Sequence, residues 1–472
     1  MNPAGTVGPA PDRRSPSIAA FLSFLWPGLG HWYTRRDRAA LLFALPVIGV
    51  ALVVGVEALG GLGQLAGLFL SPSSALTILI LIVLLGVWRE VAVLDASMAV
   101  RPRGAWRRGR SLVVVILVTI IIAATHIWAG SIAWAFYEAD SRIFVGGSEG
   151  PDAGPIATAS ASASASATTP TSPAPGETPN TDEDYVAAPF ATPATTASRI
   201  NILMTGVDSA ETRSHALTDT LMVASIDPVT KDVALISFPR DISDFPLTDG
   251  RTFTGKINGF MTYVRNHPKE FKDKPLVELV KELSFLVGAP IQYYAAVDLA
   301  GFRKLIDAAG GVTVTADRAI NDPRYDWLDG RRGFTLSAGT HKLNGEDALA
   351  YVRSRYTPGD NDFRRAKRQQ EVLLALSRKL TTPAMLTRIP KLVRVAGDTL
   401  RTNFPSDRIS EMLDLLQSVD RDAVTQVILG APYAYHPPSN ETGGIYKLRL
   451  HMDKLAALSR KVFGSESTYP AP

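Results

Sequence analysis

The protein is a chain of 472 residues with 46% hydrophobic residues, a formal net charge of +4 and no cysteine. This length exceeds that of one ordinary domain and indicates about three units. The absence of cysteine excludes disulfides, thiolate metal sites and cysteine nucleophiles. The mild basic excess suits partners that carry phosphate or anionic lipid, but it decides nothing alone.

The first third of the chain is strongly apolar, and three of its segments are long enough to cross a bilayer, which takes about 20 residues of helix. The predicted spans are Ala39 to Leu59, Leu65 to Trp88 with a bend or break near Pro72, and Leu112 to Phe136. A shorter stretch, Ser17 to Trp32, contains a Pro-Gly turn and is interpreted as a re-entrant or interfacial segment. Residues 17–137 are therefore expected to form a membrane region after a cytoplasmic N-terminus, residues 1–16.

Arginine clusters between the apolar segments predict the orientation. They comprise Arg13 and Arg14, then Arg35, Arg36 and Arg38, then Arg101, Arg103, Arg107, Arg108 and Arg110. Short loops rich in lysine and arginine stay in the cytoplasm. Three full spans put every cluster inside, whereas four would put one outside. The sequence therefore predicts a multi-pass protein of the cell membrane whose chain after Phe136 is extracytoplasmic.

The composition changes again after the last span. Residues 138–198 include "ASASASASATTPTSPAPGETPNT", which has almost no side chains able to build a core. Such a tract cannot offset its ordering entropy and is expected to be a disordered spacer. Residues 199–463 have globular composition and are predicted to form one domain, and residues 464–472 a disordered tail.

Strands and helices are interspersed in this domain, which indicates an α/β or α+β sandwich. The predicted strands are "RINILMTGVDS", "DTLMVASID", "VALISFPRD", "YYAAVD" and "VTVTA". The predicted helices are Leu276 to Val287, "LAGFRKLIDAA" closed by Gly310, a short one from Gly345 to Tyr351, and Phe363 to Leu380 with Asp362 as its N-cap.

One stretch, "YVRSRYTPGDNDFRRAKRQQ", is unusually basic. Arg365, Arg368 and Gln369 share one helix face at spacings of three and four, close to the positive helix N-terminus. Arg353 and Arg355 arrive from the preceding segment. Solvated surface charge is the usual explanation for such a run. Because arginine grips phosphate oxygens with two parallel hydrogen bonds, an anion site is the better interpretation here.

Carboxylates and further cations complete the predicted site. Asp208 ends the first strand and Asp219 begins the second, so antiparallel pairing would bring them together. The alternative is that both only cap loop ends. Paired carboxylates without histidine or cysteine suit Mg²⁺, with Mn²⁺ as a second possibility. Arg240 and Asp241, at a strand end, and Lys256 can join the anion site, which suits diphosphate with a metal.

The order of these blocks resembles the LytR-CpsA-Psr family. The blocks are "ILMTGVDS", "TDTLMVASIDP", "VALISFPRD", "GKING", "GFRKLIDAAGGVTV", "LNGEDALAYVRSR" and "DFRRAKRQQ". The resemblance implies an extracytoplasmic α/β domain, with a mixed central sheet flanked by helices and a pocket for a polyprenyl chain. It also implies Mg²⁺-assisted transfer of a glycopolymer from polyprenyl diphosphate to peptidoglycan at the cell wall.

The resemblance also assigns roles to single residues. It implies Asp208 and Asp219 as metal ligands. It implies diphosphate contacts for Arg240, Arg353, Arg355, Arg365, Arg368 and Gln369. Lys256 is predicted to add a further positive charge to this site, and Arg240, Asp241 and Arg365 are the predicted catalytic residues. Arg364 stands where many members carry a small residue and is expected to point outward. Asp219 and Asp241 are the candidates for the group that accepts the hydroxyl proton.

Two other functions compete with the transferase. A pyrophosphatase would use water as the acceptor, and a non-catalytic regulator would only bind the lipid carrier. Nucleic acid is not an expected partner, because the arginine cluster lies outside the cell in the predicted topology.

Overall fold

The structure is a computed structural model, and it describes residues 14–59, 72–100, 105–143, 188–191, 195, 198–208, 217–385, 388–405, 408–420 and 423–470. The chain divides into two compact units, Met1–Tyr137 and Glu138–Pro472. Residues 1–13 of the predicted cytoplasmic N-terminus and most of the predicted linker lie outside the described residues.

The first unit consists of helices. They are α1 (Pro16–Leu25), α2 (Leu29–Tyr33), α3 (Asp37–Leu59), α4 (Pro72–Met98) and α5 (Ala105–Ile143). Three stretches within them are long and apolar enough to cross a membrane: Asp37–Val56, Ser74–Met98 and Ser111–Glu138. Three helices among the described residues thus have the length and composition that the three predicted spans require. The α1 helix, ten residues long, is too short to span, as expected of the segment that follows Arg13 and Arg14.

The described helix α4 starts at Pro72, which agrees with the predicted break near this proline, and it continues ten residues beyond Trp88 to Met98. Residues 65–71 of the predicted second span lie outside the described residues. Two charged side chains in this extension, Arg89 and Asp95, have partners within the unit. Arg89 donates to the Phe24 carbonyl (2.8 Å), and Asp95 contacts His31 Nε2 (2.9 Å) and the Arg36 guanidinium. Because these charges are satisfied, they do not end the helix.

The second unit is built around a mixed six-stranded sheet. The strands of the whole unit are β1 (Ile200–Asp208), β2 (Leu217–Ile226), β3 (Val233–Ser237), β4 (Ser243–Pro246), β5 (Thr252–Lys256), β6 (Tyr293–Asp298), β7 (Val312–Ala316), β8 (Ile320–Asp326), β9 (Arg332–Leu336), β10 (Gly339–Leu343), β11 (Leu400–Thr402), β12 (Thr425–Ile428), β13 (Ala434–Tyr435) and β14 (Arg449–Leu450). The central sheet has the order β11-β6-β1-β2-β3-β12, and the remaining strands form two-stranded pairs. The β1–β6 and β3–β12 pairs are parallel, and the other pairs of the central sheet are antiparallel.

Helices cover both faces of this sheet, so the predicted α/β class is confirmed. They are α6 (Phe260–Asn266), α7 (Pro275–Val287), α8 (Leu299–Ala309), α9 (Gly345–Arg353), α10 (Asp362–Leu380), α11 (Ile389–Thr399), α12 (Ile409–Ser418), α13 (Ser439–Thr442) and α14 (Met452–Phe463). Neighbouring side chains of β2 pack against helices on opposite faces of the sheet, because successive side chains of a strand point to opposite faces. Val223 joins the core that contains Leu283 of α7, whereas Met222 packs in the cluster that contains Leu373 of α10.

The described ends of the domain extend beyond the predicted limits of 199 and 463. On the N-terminal side, Phe190 N–H donates to the Gln292 carbonyl (2.9 Å) and its ring packs against Tyr294. On the C-terminal side, the Glu466 carboxylate accepts from Arg199 N–H (2.9 Å). The Tyr469 hydroxyl donates to the Leu286 carbonyl (3.1 Å). The predicted disordered tail is therefore wrong for residues 464–470, because polar and aromatic side chains tie it to the core.

Candidate functional site

A cavity of about 1020 Å³ opens in the second unit between the sheet and helices α8 to α11. This is at the upper end of the size of ligand pockets in proteins. The residues that form its apolar part include Met204, Met222, Ala295, Val297, Phe302, Leu305, Ile306, Leu349, Val352, Val372, Leu373, Leu376, Leu380, Leu392, Ala396 and Leu400. The residues that form its charged part include Arg240, Arg324, Arg332, Arg353, Arg355 and Arg365.

One face of α10 runs along the cavity. Arg365 and Gln369 come from its first two turns, and Leu376 and Leu380 come from its second half. From Arg365 to Leu380 the helix rises about 22 Å at 1.5 Å per residue. The cavity therefore has a cationic end at the start of α10 and a purely aliphatic end along the rest of that helix.

The other faces of α10 point away from the cavity, as the helical spacing predicts. Arg364 and Lys367 are exposed and reach the same carboxylate, Asp317, at 3.9 Å and 3.1 Å. Neither of them lines the cavity, whereas Arg365 lines it although its residue is only 6% exposed. The expectation that Arg364 points outward is confirmed.

Five of the predicted anion-binding residues meet at the cavity: Arg240, Arg353, Arg355, Arg365 and Gln369, called here the arginine rim. Asp322, which the sequence analysis did not single out, fixes the segment that carries Arg355. Its buried carboxylate accepts from Ser354 Oγ (2.8 Å), Arg355 N–H (2.9 Å) and Tyr356 N–H (3.1 Å). These bonds lower the pKa of Asp322 although burial opposes the shift, so the carboxylate is ionised at neutral pH.

The structure does not bring Arg368 or Lys256 to the cavity surface. Arg368 is buried, donates to Asp360 (2.9 Å) and to the Ser354 carbonyl, and lies over the Tyr351 ring. Its charge therefore holds the loop before α10 in place, and its side chain is not part of the cavity lining. Lys256 instead forms an ion pair with Asp241, the residue that follows Arg240 in the chain.

The predicted N-cap of α10 is wrong by one residue. Asn361 caps the helix by accepting from Arg364 N–H (3.0 Å), and this leaves the Asp362 side chain free for other partners. Asp362 Oδ2 accepts from Arg240 Nε (3.0 Å), and Asp362 Oδ1 lies 3.4 Å from an Arg365 guanidinium nitrogen. Asp362 therefore orients two arginines of the rim that come from distant parts of the chain.

Asp241 and Asp362 form a carboxyl pair beside the rim, since Arg240 Nε lies 3.9 Å from Asp241 Oδ2 and 3.0 Å from Asp362 Oδ2. Burial and the hydrogen bond to Asp362 raise the pKa of Asp241, against the opposing effect of the Lys256 ammonium. Burial also acts on Asp362, but the bond from Asp241 and the charges of Arg365 and Arg240 outweigh it and lower its pKa. Two adjacent carboxylates do not both ionise readily, so Asp241 is the member of the pair that loses its proton at the higher pH.

At Asp208 and Asp219 the structure describes only the backbone. It therefore shows how their strands pair but not how close their carboxylates lie. Strands β1 and β2 are antiparallel, with Asp208 opposite Leu217 and a register shift between Gly206 and Val207, next to Asp219. The side chains of both aspartates lie outside the described part of the chain. Nearby, Thr205 and Thr220 line the cavity, and Thr205 Oγ1 is buried without a hydrogen-bond partner. Among the described residues, no group of three or more histidine, cysteine, aspartate or glutamate side chains could hold a metal.

The cavity thus joins an aliphatic wall to an arginine rim. Residues 159–461 match the LytR_cpsA_psr family, and this is more than half of the 472 residues. The chain therefore belongs to the LytR_cpsA_psr family.

Curated relatives match the globular part. The regulatory protein MsrR of Staphylococcus aureus is 30% identical over 230 residues, which are 48% of this chain and 63% of MsrR. A Bacillus subtilis protein named polyisoprenyl-teichoic acid–peptidoglycan teichoic acid transferase TagV is 31% identical over 218 residues, 46% of this chain and 52% of TagV. The match thus spans between one half and two thirds of these relatives. The crystal structure of B. subtilis TagV aligns with a TM-score of 0.47 and 23% identity, over 59% of this chain and all of that one.

Proposed function

We propose that this protein is a membrane-anchored phosphotransferase that moves a glycopolymer from a polyprenyl-diphosphate carrier onto peptidoglycan. The observation that carries the proposal is the single cavity with two chemically different ends, an aliphatic end along α10 and α11 and the arginine rim. A polyprenyl diphosphate has the same division, with a long branched hydrocarbon and a head bearing two phosphates. Family membership and the printed name of TagV support this substrate class.

The proposed step is a displacement at phosphorus. A sugar hydroxyl of the acceptor attacks the phosphorus that bears the glycan, a new P–O bond forms, and the bond to the bridging oxygen breaks. Polyprenyl phosphate leaves with that oxygen. Arginines of the rim stabilise the charge on the equatorial and leaving oxygens, which is the main catalytic effect in phosphoryl transfer. The hydroxyl proton goes to the Asp241–Asp362 pair.

The same end of the sheet fits a hard cation. The carboxylates of Asp208 and Asp219 are proposed ligands, and the unpartnered Thr205 hydroxyl adds an oxygen donor close to them in the chain. An oxygen-only set of donors favours Mg²⁺, or Mn²⁺, over softer metals. When bound, the metal would neutralise phosphate oxygens that the arginines do not reach.

Product analysis separates the proposed function from its rivals. The full chain in detergent is given a labelled polyprenyl-diphosphate glycan, with and without an uncrosslinked peptidoglycan oligomer. We expect phosphoglycan on the oligomer and release of polyprenyl phosphate. Equal release of free phosphoglycan with and without the oligomer would identify a pyrophosphatase. No cleavage in either condition would favour the non-catalytic regulator that binds the lipid carrier, and the name of MsrR is that of a regulatory protein.

We also propose that the second unit is extracytoplasmic, since the arginine clusters predict it. Single cysteines are informative because the native chain has none. Ser439→Cys lies at an exposed position of the second unit, and Ala99→Cys at an exposed position after α4. We expect an impermeant thiol reagent to label Ser439→Cys on intact cells and Ala99→Cys only after permeabilisation. The reverse pattern would contradict the topology.

A further inference from the structure

Beside the carboxyl pair lies a surface of exposed aromatic side chains that are not part of the cavity lining. It belongs to the segment between β13 and β14, and its two rings are Tyr446 and His436, called here the ring pair. Their centroids are 4.6 Å apart, and Tyr446 is 47% exposed. Aromatic side chains that pack against each other are usually buried in a core. Because these two are exposed at the surface, a ligand that covers them is a reasonable explanation for their position.

The backbone places this segment next to the reaction centre. Leu448 N–H donates to the Asp241 carbonyl (2.9 Å), and Ser243 N–H donates to the Leu448 carbonyl (2.8 Å). A parallel bridge pairs Ile242 with Leu448. Tyr446 therefore lies two residues before Leu448, whose backbone N–H is hydrogen-bonded to Asp241. Partial burial and the negative charges of Asp241 and Asp362 raise the pKa of the Tyr446 phenol, which is consistent with this proximity.

The base of the segment is rigid although its rings are exposed. Arg449 donates to Asp244 (2.9 Å) and to Glu441 (2.7 Å), and Lys447 donates to Asp244 (3.0 Å). His436 Nδ1 is bonded to the Lys447 carbonyl (2.8 Å), which orients the imidazole against Tyr446. The ring pair is thus held in one arrangement before any ligand binds, which lowers the entropic cost of binding.

We propose that the ring pair is the acceptor subsite, where a pyranose ring of the acceptor glycan stacks beside the Asp241–Asp362 pair. A pyranose has an apolar C–H face and a polar rim, and an exposed tyrosine offers the matching flat apolar face with a polar tip. The proposal rests on the proposed transferase function. It places the carboxyl pair between the acceptor on the ring pair and the donor diphosphate at the arginine rim.

Binding of an uncrosslinked, soluble peptidoglycan oligomer to the full chain in detergent tests this directly by titration calorimetry. We expect Tyr446→Ala and His436→Ala each to raise Kd at least tenfold, and Tyr446→Phe to stay within about threefold of the native chain, since the ring is kept. Tyr435→Ala is the matched control. It removes a tyrosine of similar exposure, 40%, which ends β13 just before His436 and whose ring lies against His451 instead of Tyr446.

The proposal is overturned if the native chain does not bind the oligomer, if Tyr446→Ala binds like the native chain, or if Tyr435→Ala loses as much affinity as Tyr446→Ala. The binding measurement does not depend on turnover. If the native chain binds the oligomer through the ring pair yet never transfers glycan to it, the proposed transfer fails and the subsite stands. If the Tyr446→Ala chain still binds polyprenyl diphosphate, the donor site is intact and the loss is specific to the acceptor.

Discussion

Replacing Arg365 by alanine is expected to lower the rate of glycan transfer about 30- to 1,000-fold, which corresponds to about 2–4 kcal/mol of lost transition-state stabilisation. Arg365 lines the cavity and is oriented by Asp362, so it is positioned before the substrate arrives. Arg365→Lys should restore little activity, because lysine keeps the charge but loses the two parallel hydrogen bonds. The rate is measured with saturating donor and acceptor.

Arg364→Ala is the matched control for this prediction. It removes the same side chain from the neighbouring position. Among the described residues, the Arg364 guanidinium forms an ion pair with the exposed Asp317. We expect a change in rate of less than about twofold, since exposed ion pairs contribute little. Unfolding temperatures of both variants are compared, because Arg365 is buried and its loss could affect folding. Equal loss of transfer in Arg364→Ala and Arg365→Ala would show that the cluster acts as diffuse charge.

The second large effect is expected at Asp241. A carboxylate that accepts the hydroxyl proton typically accelerates a reaction about 10²- to 10⁴-fold, so Asp241→Asn should lower transfer within that range. Because burial and Asp362 raise the pKa of Asp241, the protonated and inactive form persists to a higher pH than for an ordinary carboxyl group. The rate of the native chain should therefore rise with pH through this raised pKa, and Asp241→Asn should lose that dependence.

Asp317→Asn provides the control for the pH profile. Asp317 is an exposed carboxylate whose pKa is lowered, first by the bond from Lys367, and it lies outside the cavity. We expect its variant to keep the native rate and the native profile. If Asp241→Asn instead keeps the native rate, the carboxyl pair only orients the rim, and the proton goes to another group.

Local patterns in the sequence explain why part of the site was predictable. The face of α10 that carries Arg365 and Gln369 follows from helical spacing alone, and so does the outward direction of Arg364. The three spans follow from hydropathy. Pairing of β1 with β2 follows from two adjacent apolar runs joined by one loop.

Other features depend on contacts between distant residues and have no local signal. Asp362 was assigned to the N-cap because it precedes the helix pattern, but a partner 122 positions away in the chain, Arg240, engages its side chain and leaves the cap to Asn361. Arg368 shares the face of Arg365 by spacing, yet Asp360 and the Ser354 carbonyl hold it inside the protein. Asp322 organises the loop of Arg355 from a hairpin, β8 to β9, that the sequence analysis did not predict.

The most direct test of the central claim is the identity of the amphiphile in the cavity. Lipid that copurifies with the detergent-extracted protein is measured by mass spectrometry for the native chain, Arg365→Ala and Arg364→Ala. The account predicts a polyprenyl phosphate or diphosphate in stoichiometric amount with the native chain and Arg364→Ala, and at least tenfold less with Arg365→Ala. Absence of any prenyl lipid from the native chain, or equal amounts in all three, would contradict the assignment of the cavity and its arginine rim.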